Sequence, residues 1–300
     1  MKKGIIALLL VALLSGSQLA STGAVWGSGD QHIGPYKVAT AATEITVASE
    51  KEMVSALYTG FLNREDKIVI NYSIPDYKLD IDELYKKALA IDDKATAKDN
   101  DYLAYSVKGW NAVWTSSGRK STLELDTRYN TTPEEERILD AKIKSALQEL
   151  KLDGVSGYKK VRAIHDYIIN RVSYDSSLQG VTAYDAMIEQ SAVCEGYSIL
   201  AYRMFTEAGV ECRIISGTGN GVPHAWNIVK IKGKWYNIDL TWDDPISSDG
   251  KPMLTNDYFL KNTKDFKGHK RDAEYKTDAF VKAYPISKTS YKLPKLKSAE

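Results

Sequence analysis

Two segments of alternating residues, His224–Ile231 and Lys234–Leu240, constrain the fold of this chain more than any other feature. The residues between them, Lys232-Gly233, predict a β-hairpin with a two-residue loop, and this loop sets the register of the two strands. Since side chains alternate along a strand, one face of the hairpin is predicted to carry His224, Trp226, Asp239 and Thr241. Asp239 is then the diagonal neighbour of His224, at about 7–8 Å between Cα atoms, a distance that the two side chains can bridge.

The opposite face of this hairpin is mostly apolar and is predicted to be the packing face. It carries Ala225, Asn227, Val229, Ile231, Tyr236, Ile238 and Leu240. Asn227 is polar in this set, so it needs a hydrogen-bond partner when it is buried. The face with His224 is expected to be left available to the helix that begins near Cys194.

Cys194 is predicted to lie at the start of a helix over 194–208, which a glycine ends. Backbone N–H groups and the helix dipole at this position favour the thiolate, the nucleophilic form of cysteine. Glu195 works partly against this effect and is assigned no catalytic role. A nucleophile needs a base, and the base needs an orienting group. His224 and Asp239 supply these two groups in the predicted hairpin.

Three alternatives to this triad follow from the same residues. Cys194 and Cys212 could form a disulfide, as cysteine pairs in exported proteins commonly do. The predicted helix is about 21 Å long, however, and Cys212 follows near its far end, so we expect Cys212 to be a buried thiol. A zinc site ordinarily shows close ligand pairs, which this sequence lacks, so no metal and no cofactor is predicted. Asp243 and Asp244 rank second to Asp239 as orienting groups because they lie past the strand in a turn.

The composition excludes several classes of protein. The 300 residues are 43% hydrophobic and 26% charged, which is ordinary for a globular protein, and two cysteines are too few for a disulfide-dense miniprotein. Forty Lys and Arg residues against thirty-nine Asp and Glu residues give a formal charge of +1. This balance gives no support for a nucleic-acid partner.

The first 24 residues have the pattern of a secretory signal peptide. Two lysines precede an apolar stretch, Gly4–Leu14, which is too short for a membrane span of about 20 residues. Small residues follow, with Ala20 and Ala24 as cleavage positions. No cysteine directly follows the apolar stretch, which excludes lipid attachment through an N-terminal cysteine. No later segment is apolar enough to span a membrane. We therefore expect a secreted, extracellular protein, with residues 25–42 as a flexible lead-in.

Three segments are predicted after this lead-in. An N-terminal α+β domain of unassigned role occupies 43–152, the domain with the triad occupies 153–270, and a C-terminal extension occupies 271–300. The boundary is placed at Asp153-Gly154, which ends a helix capped by Thr132.

Caps and periodicity predict further elements. They are a helix from Ser49 to about Leu62, paired strands over Leu103–Trp114 and Thr122–Tyr129, a helix over Gly157–Arg171, a short helix over Ala183–Gln190, and a glycine-rich loop over Gly217–Pro223. His165 lies in one of these helices and is expected to be structural rather than catalytic.

Three motifs in the second domain resemble those of bacterial transglutaminase-like proteins, which are papain-type thiol enzymes with a Cys–His–Asp triad. The motifs are CEGY at a helix start, HAWN on one strand and WYNIDLTWDDP on the next. The resemblance covers about 157–265. It implies an α+β, papain/transglutaminase-like core in which the cysteine helix packs on an antiparallel sheet. By resemblance Cys194 is the nucleophile, His224 the base and Asp239 the orienting group.

The resemblance also implies a substrate and a reaction class. The substrate would be an amide bond of a protein or peptide, with the cell wall as one candidate location. A cysteine thioester would be resolved by hydrolysis, as in a peptidase or amidase, or by transamidation. Substrate-pocket candidates are Tyr197, Trp226 and Trp242, although aromatic residues at strand positions are more often packing residues.

One oxyanion donor is expected to be the backbone N–H of Cys194, with Tyr174, Gln190 and Tyr197 as weak candidates for the second. The alternative to an enzyme is an inactive extracellular binding or cell-surface module that retains the fold.

Overall fold

The computed structural model describes residues 23–26, 43–91, 100–244 and 255–294 of the chain. By its internal contacts the chain divides into two compact units, Met1–Pro133 and Glu134–Glu300. Both units combine helices with sheets, which confirms the predicted α+β class. The predicted signal peptide and lead-in lie outside the described residues, apart from 23–26.

The first unit is one five-stranded sheet with helices packed against it. Its strands are β1 (Gly23–Trp26), β2 (Thr43–Val47), β3 (Lys67–Tyr72), β4 (Val107–Ser117) and β5 (Lys120–Tyr129). Its helices are α1 (Glu50–Leu62), α2 (Ile81–Leu89) and α3 (Asn100–Ser106). The strand order is β1-β4-β5-β3-β2, in which only β2 and β3 run parallel. Buried Met53, Leu57 and Phe61 of α1 share a core with the sheet residues Ile68 and Ile70.

Two predictions for the first unit need correction. Residues 103–106 were expected to begin a strand but end helix α3, and β4 begins only at Val107. A short apolar run such as Leu103–Tyr105 suits a helix or a strand equally, and here the helical form buries Leu103 in the core. Residues 25 and 26 were placed in a flexible lead-in, yet they belong to β1, which pairs with β4.

The second unit contains the predicted cysteine helix and its sheet. Its helices are α4 (Pro133–Glu149), α5 (Gly157–Ile169), α6 (Cys194–Glu207) and α7 (Asp278–Ala283). Its strands are β6 (Ser173–Tyr174), β7 (Ser191–Ala192), β8 (Cys212–Gly219), β9 (Val222–Ile231), β10 (Lys234–Ile238) and β11 (His269–Arg271). The main sheet is antiparallel in the order β10-β9-β8-β11, and β6 pairs with β7 in parallel.

Helix α4 belongs with the second unit by its contacts, although the sequence analysis placed it before the domain boundary. The buried guanidinium of Arg203 in α6 pairs with Asp140 of α4, and Glu136 lies 3.8 Å away. A buried cation needs such partners, so these ion pairs tie α4 to α6.

The hairpin register is confirmed. Ile231 pairs with Lys234 and Asn227 with Ile238, and the loop residues Lys232 and Gly233 have φ of 50° and 76°, as a tight two-residue turn requires. The predicted loop over Gly217–Pro223 is wrong, because β8 and β9 continue through it and pair Gly219 with Val222. An Asn220-Gly221 turn closes this second hairpin, with both residues at positive φ.

The face on which α6 packs also differs from the prediction. Asn227 donates a hydrogen bond from Nδ2 to the Ser198 carbonyl of α6 at 3.0 Å, so α6 covers the apolar face and supplies the partner that Asn227 was expected to need. The apolar side chains of that face need covering more than the polar face does, because burial stabilises them. Cys194 lies one helical turn before Ser198, and His224 lies three residues before Asn227, so both approach the same end of the sheet.

The C-terminal segment, residues 255–294, covers the face that carries His224. Strand β11 adds an edge to the sheet beside β8, and Ser287 donates its backbone N–H to the Trp235 carbonyl at 2.8 Å. A hydrophobic cluster on this face joins the sheet to residues from the segment: Ile215, Trp226, Ile228 and Trp235 with Tyr258, Phe266, Tyr275, Phe280, Tyr284 and Ile286. Residues 271–294 therefore complete a core of the second unit. No helix in the described ranges is long and apolar enough to cross a membrane.

Candidate active site

Cys194 is the first residue of α6, as predicted, and its side chain is partly exposed. Both cysteines remain thiols, so the disulfide alternative is excluded, and Cys212 is buried as expected. The glycine of the CEGY motif has a clear steric role: a Cβ at Gly196 would lie 2.7 Å from the Ala192 Cβ and 2.9 Å from the Thr182 carbonyl oxygen. A larger residue would push the start of α6 away from the segment that precedes it.

His224 is held by Asp239. The Nε2 atom of His224 lies 2.7 Å from Oδ2 of Asp239, and both side chains are buried. This contact leaves Nδ1 of His224 free of Asp239, and Cys194 is near enough to affect the pKa of the ring. Burial alone would lower the pKa of His224, but the bonds to Asp239 and Cys194 raise it to about 10. An imidazolium at His224 is therefore stabilised at neutral pH.

Asp239 accepts four hydrogen bonds at the end of β10. Its Oδ1 accepts from the backbone N–H groups of Thr241 and Trp242, at 3.0 and 3.1 Å. Its Oδ2 faces both His224 and His269, the latter through Nε2 at 2.8 Å. Burial would raise the pKa of Asp239, but these bonds outweigh burial and lower it. The carboxylate thus stays ionised inside the protein.

The two aspartates that ranked second have other partners. Oδ2 of Asp243 lies 3.2 Å from Nε2 of His165, and its Oδ1 accepts from the Tyr258 backbone N–H at 2.9 Å. Asp244 faces the hydroxyl of Tyr197 at 2.7 Å. Asp239 is the carboxylate that the fold brings to His224.

The Tyr197 hydroxyl has two hydrogen-bond acceptors within reach. It lies 2.9 Å from the Val172 carbonyl and 2.7 Å from Asp244, but it has only one proton to donate. Burial raises the pKa of Asp244 to about 6. The Tyr197 hydroxyl therefore shares its one proton between the Val172 carbonyl and the Asp244 carboxylate.

His269 is the residue at this site that the sequence analysis missed. It lies on β11 opposite Gly219, and it reaches Asp239 across 30 residues of sequence. A single histidine in the segment GHKR carries no spacing signal. Only the pairing of β11 with β8 places it beside the other two side chains.

The three substrate-pocket candidates differ in exposure. Tyr197 and Trp226 are each 1% exposed and pack inside the unit, whereas Trp242 keeps partial exposure. The Trp242 ring lies 5.1 Å from the His224 ring between centroids, tilted by 30°. Of the three, only Trp242 has surface to offer a substrate, and its role stays a prediction.

Gly219 makes room for these rings. A Cβ at this position would lie 2.7 Å from Cζ2 of Trp242 and 3.0 Å from Cδ2 of His224. Because both rings are packed, a side chain at Gly219 would displace the ring of His224 or that of Trp242.

His224, Asp239 and His269 form a group whose donor atoms could hold a metal ion. Its donor atoms lie within 4.8 Å of one another, which is close enough for a metal ion. At a tetrahedral zinc site, however, ligand atoms lie about 3.3 Å apart, given zinc–nitrogen distances near 2.0 Å. The observed 2.7 and 2.8 Å separations are those of hydrogen-bond partners. The residues therefore fit a proton-sharing network better than a metal centre.

Two residues near Cys194 affect its chemistry. Burial raises the pKa of Glu195 to about 7, so its carboxyl is partly neutral at neutral pH and opposes a thiolate less than an ordinary glutamate would. Tyr174 is exposed, and burial of its hydroxyl and the charge of Cys194 raise its pKa. Since Tyr197 is already engaged, Tyr174 is the better placed of the two tyrosines to act as a second oxyanion donor.

A second buried histidine supports the site from α5. His165 is fully buried, with Nδ1 2.9 Å from Asp166 and Nε2 3.2 Å from Asp243. Burial alone would lower its pKa, but the two carboxylates raise it. This geometry agrees with the structural role expected for His165.

The comparison with known families decides the assignment of this unit. Residues 145–240 match the model of the transglutaminase-like superfamily, a range that includes Cys194, His224 and Asp239. The chain contains a transglutaminase-like domain. His269 and the rest of the C-terminal segment lie outside the matched range.

Two curated relatives are kyphoscoliosis peptidases. The human protein is 31% identical over 144 residues, which are 41% of this chain and 21% of that protein. The mouse protein is 32% identical over 122 residues, which are 33% of this chain and 18% of that protein. This chain therefore spans about a fifth of the length of these relatives.

Solved structures show weaker likenesses. The crystal structure of a TGase aligns with a TM-score of 0.35 at 19% identity, covering 64% of this chain and 55% of that one. The periplasmic domain of TgpA from Pseudomonas aeruginosa aligns with a TM-score of 0.29 at 12% identity, covering 46% and 73%.

We predict that Gly219→Ala slows alkylation of Cys194 by about tenfold or more, because the added Cβ displaces His224 or Trp242. The measurement is the second-order rate with iodoacetamide, located by peptide mass spectrometry. Gly157→Ala is the matched control, since a Cβ there meets nothing within 4 Å. Equal rates in both variants and the wild type would show that the two rings tolerate the methyl group.

We predict that His165→Gln lowers the free energy of unfolding by about 3 kcal/mol near pH 6, because it leaves the buried carboxylate of Asp243 without its cation, whereas Asp166 keeps Arg162. The folded-state pKa of His165 lies above its unfolded value near 6.5, so this stabilisation is present below pH 6.5 and declines as the pH rises through the folded pKa. Urea unfolding at pH 6 and pH 9 measures the difference.

Arg137→Gln is the control for His165→Gln, because it breaks an exposed ion pair with Glu134 and should cost less than about 1 kcal/mol. A difference between wild type and His165→Gln that grows from pH 6 to pH 9 would contradict the assigned charge of His165.

Proposed function

We propose that this chain is an exported thiol enzyme that opens an amide bond of a protein or peptide through a thioester on Cys194. The observation that carries the proposal is the buried contact between His224 and Asp239, with Cys194 at a helix N-terminus near enough to raise the pKa of His224. The match of residues 145–240 to the transglutaminase-like superfamily supports the same chemistry.

The first half of the reaction forms the thioester. In the starting state the proton of the Cys194 thiol has passed to Nδ1 of His224, and the thiolate sulfur attacks the amide carbonyl carbon. The resulting oxyanion is stabilised by the Cys194 backbone N–H and by the Tyr174 hydroxyl. The His224 imidazolium then donates its proton to the departing amine as the carbon–nitrogen bond breaks. Asp239 holds the ring in place and stabilises its charge throughout.

The second half returns the enzyme to its starting state. His224, now neutral, takes a proton from an incoming water or amine, whose oxygen or nitrogen attacks the thioester carbon. The carbon–sulfur bond breaks, and the Cys194 thiolate is left beside the His224 imidazolium, which is the starting state. Water gives hydrolysis, and a lysine amine gives a cross-link. The kyphoscoliosis peptidases are named for the first outcome, and their likeness favours a protein substrate for this chain.

We predict that Cys194→Ala and His224→Ala each lower amide turnover roughly a thousandfold or more, because each removes a group that acts only as part of the unit. The assay follows acyl-thioester capture and amine release from a peptide library. Cys212→Ala is the matched control, since that thiol is buried on β8 and takes no part in the reaction.

Full activity in either variant would contradict the proposed catalytic triad. Absence of turnover and of any acyl-enzyme in the wild type, together with slow alkylation of Cys194 at neutral pH, would instead favour a binding module that retains the fold.

The export part of the proposal rests on the two lysines, the apolar stretch Gly4–Leu14 and the small residues that follow it. We predict that the protein recovered from the culture medium of an expressing bacterium begins directly after Ala20 or Ala24, as measured by N-terminal sequencing. Full-length protein retained inside the cells would contradict cleavage and export.

A further inference from the structure

The starting observation is a second histidine on Asp239. The side chain of His269 is only 2% exposed, although the residue lies on the edge strand β11. Its ring stacks on Phe266, at 3.9 Å between centroids and 27° between planes, and contacts Trp242 at 4.3 Å. These contacts fix the plane of the ring and point Nε2 at the carboxylate.

The hydrogen bonds of His269 define where its protons lie. Nδ1 is 2.9 Å from the carbonyl oxygen of Lys267, which can only accept, so Nδ1 must carry a hydrogen. Nε2 is 2.8 Å from Oδ2 of Asp239, which is ionised and also only accepts. Both contacts are hydrogen bonds only when both ring nitrogens carry hydrogen. His269 is therefore an imidazolium in this arrangement.

Two cations then share one carboxylate. His224 and His269 meet the same oxygen, and their ring centroids lie 5.3 Å apart. His269 restrains the orientation of Asp239 by supplying a fourth donor. Its charge also partly offsets the charge of Asp239 and adds to the positive potential that Cys194 experiences.

We propose that His269 is a positioning residue of this site, which as a buried imidazolium fixes Asp239 and favours the thiolate of Cys194. The proposal goes beyond the triad and rests on the proposed function only for its effect on turnover. Titratable side chains near the ring on other elements are Asp239, His224 and Tyr258. The neighbours of His269 on β11 are Lys270 and Arg271, and Arg271 donates to Asn237.

Two variants separate the charge from the hydrogen bond. His269→Gln retains an amide donor for Asp239 but loses the positive charge. His269→Phe retains a ring that can stack on Phe266 but loses both the charge and the donors. We expect the midpoint of Cys194 alkylation against pH to rise by about one pH unit in both variants. We expect the plateau rate at high pH to stay within about twofold of wild type in His269→Gln and to fall further in His269→Phe, in which Asp239 has lost a donor.

The readout is the rate of iodoacetamide alkylation of Cys194 from pH 4 to pH 10, with folding checked by circular dichroism. A merely structural role would lower thermal stability and leave the alkylation midpoint unchanged, and this result would overturn the proposal. Amide turnover is measured in parallel. A shifted midpoint in a protein without turnover would support the role of His269 and contradict the proposed function. Turnover with an unshifted alkylation midpoint would support the proposed function and contradict the role of His269.

Two measurements on the wild-type protein do not depend on variant folding. In 15N spectra of histidine-labelled protein, the His269 ring should show hydrogen on both nitrogens at pH 7, and a neutral tautomer would overturn the proposal. Elemental analysis should find no stoichiometric zinc after purification without chelators. One zinc per chain would replace the positioning role by a metal site.

Discussion

The buried carboxylate of Asp239 is the interaction on which the arrangement of the second unit depends. An ion of this size is costly to bury unless nearly all its lone pairs are satisfied, and here two backbone N–H groups and two imidazoles satisfy them. The donors come from the end of β10, from β9 and from β11. The register of the sheet, the turn after β10 and the edge strand must therefore all form before the site exists.

The turn after β10 serves two polar networks at once. Asp239 at its start binds His224 and His269, and Asp243 further along binds His165 of α5. Trp242 lies between these two aspartates, and its ring covers the two histidines of the site. The W-Y-N-I-D-L-T-W-D-D run thus connects His224 to His165 of helix α5. This explains why a short polar motif can be buried almost throughout.

Predictions that depended on local chemistry agreed with the structure. The Lys232-Gly233 turn, the start of α6 at Cys194 and the cap at Ser49 each follow from interactions within a few residues. The strand expected over 103–106 and the loop expected over Gly217–Pro223 were wrong. In the first, burial in the core selected a helix from an ambiguous run, and in the second a strong Asn-Gly turn allowed the strands to continue through glycines.

The sequence by itself determined that His224 and Asp239 share one face of a hairpin and that a cysteine lies at a helix N-terminus, because turn length and helix ends are local properties. Tertiary structure alone decided which face α6 covers and what occupies the other. The apolar face attracted the helix, while the C-terminal segment closed the polar face and brought His269 to Asp239. No local pattern encodes that contact, since it arises from an edge-strand pairing between residues about fifty positions apart in the chain.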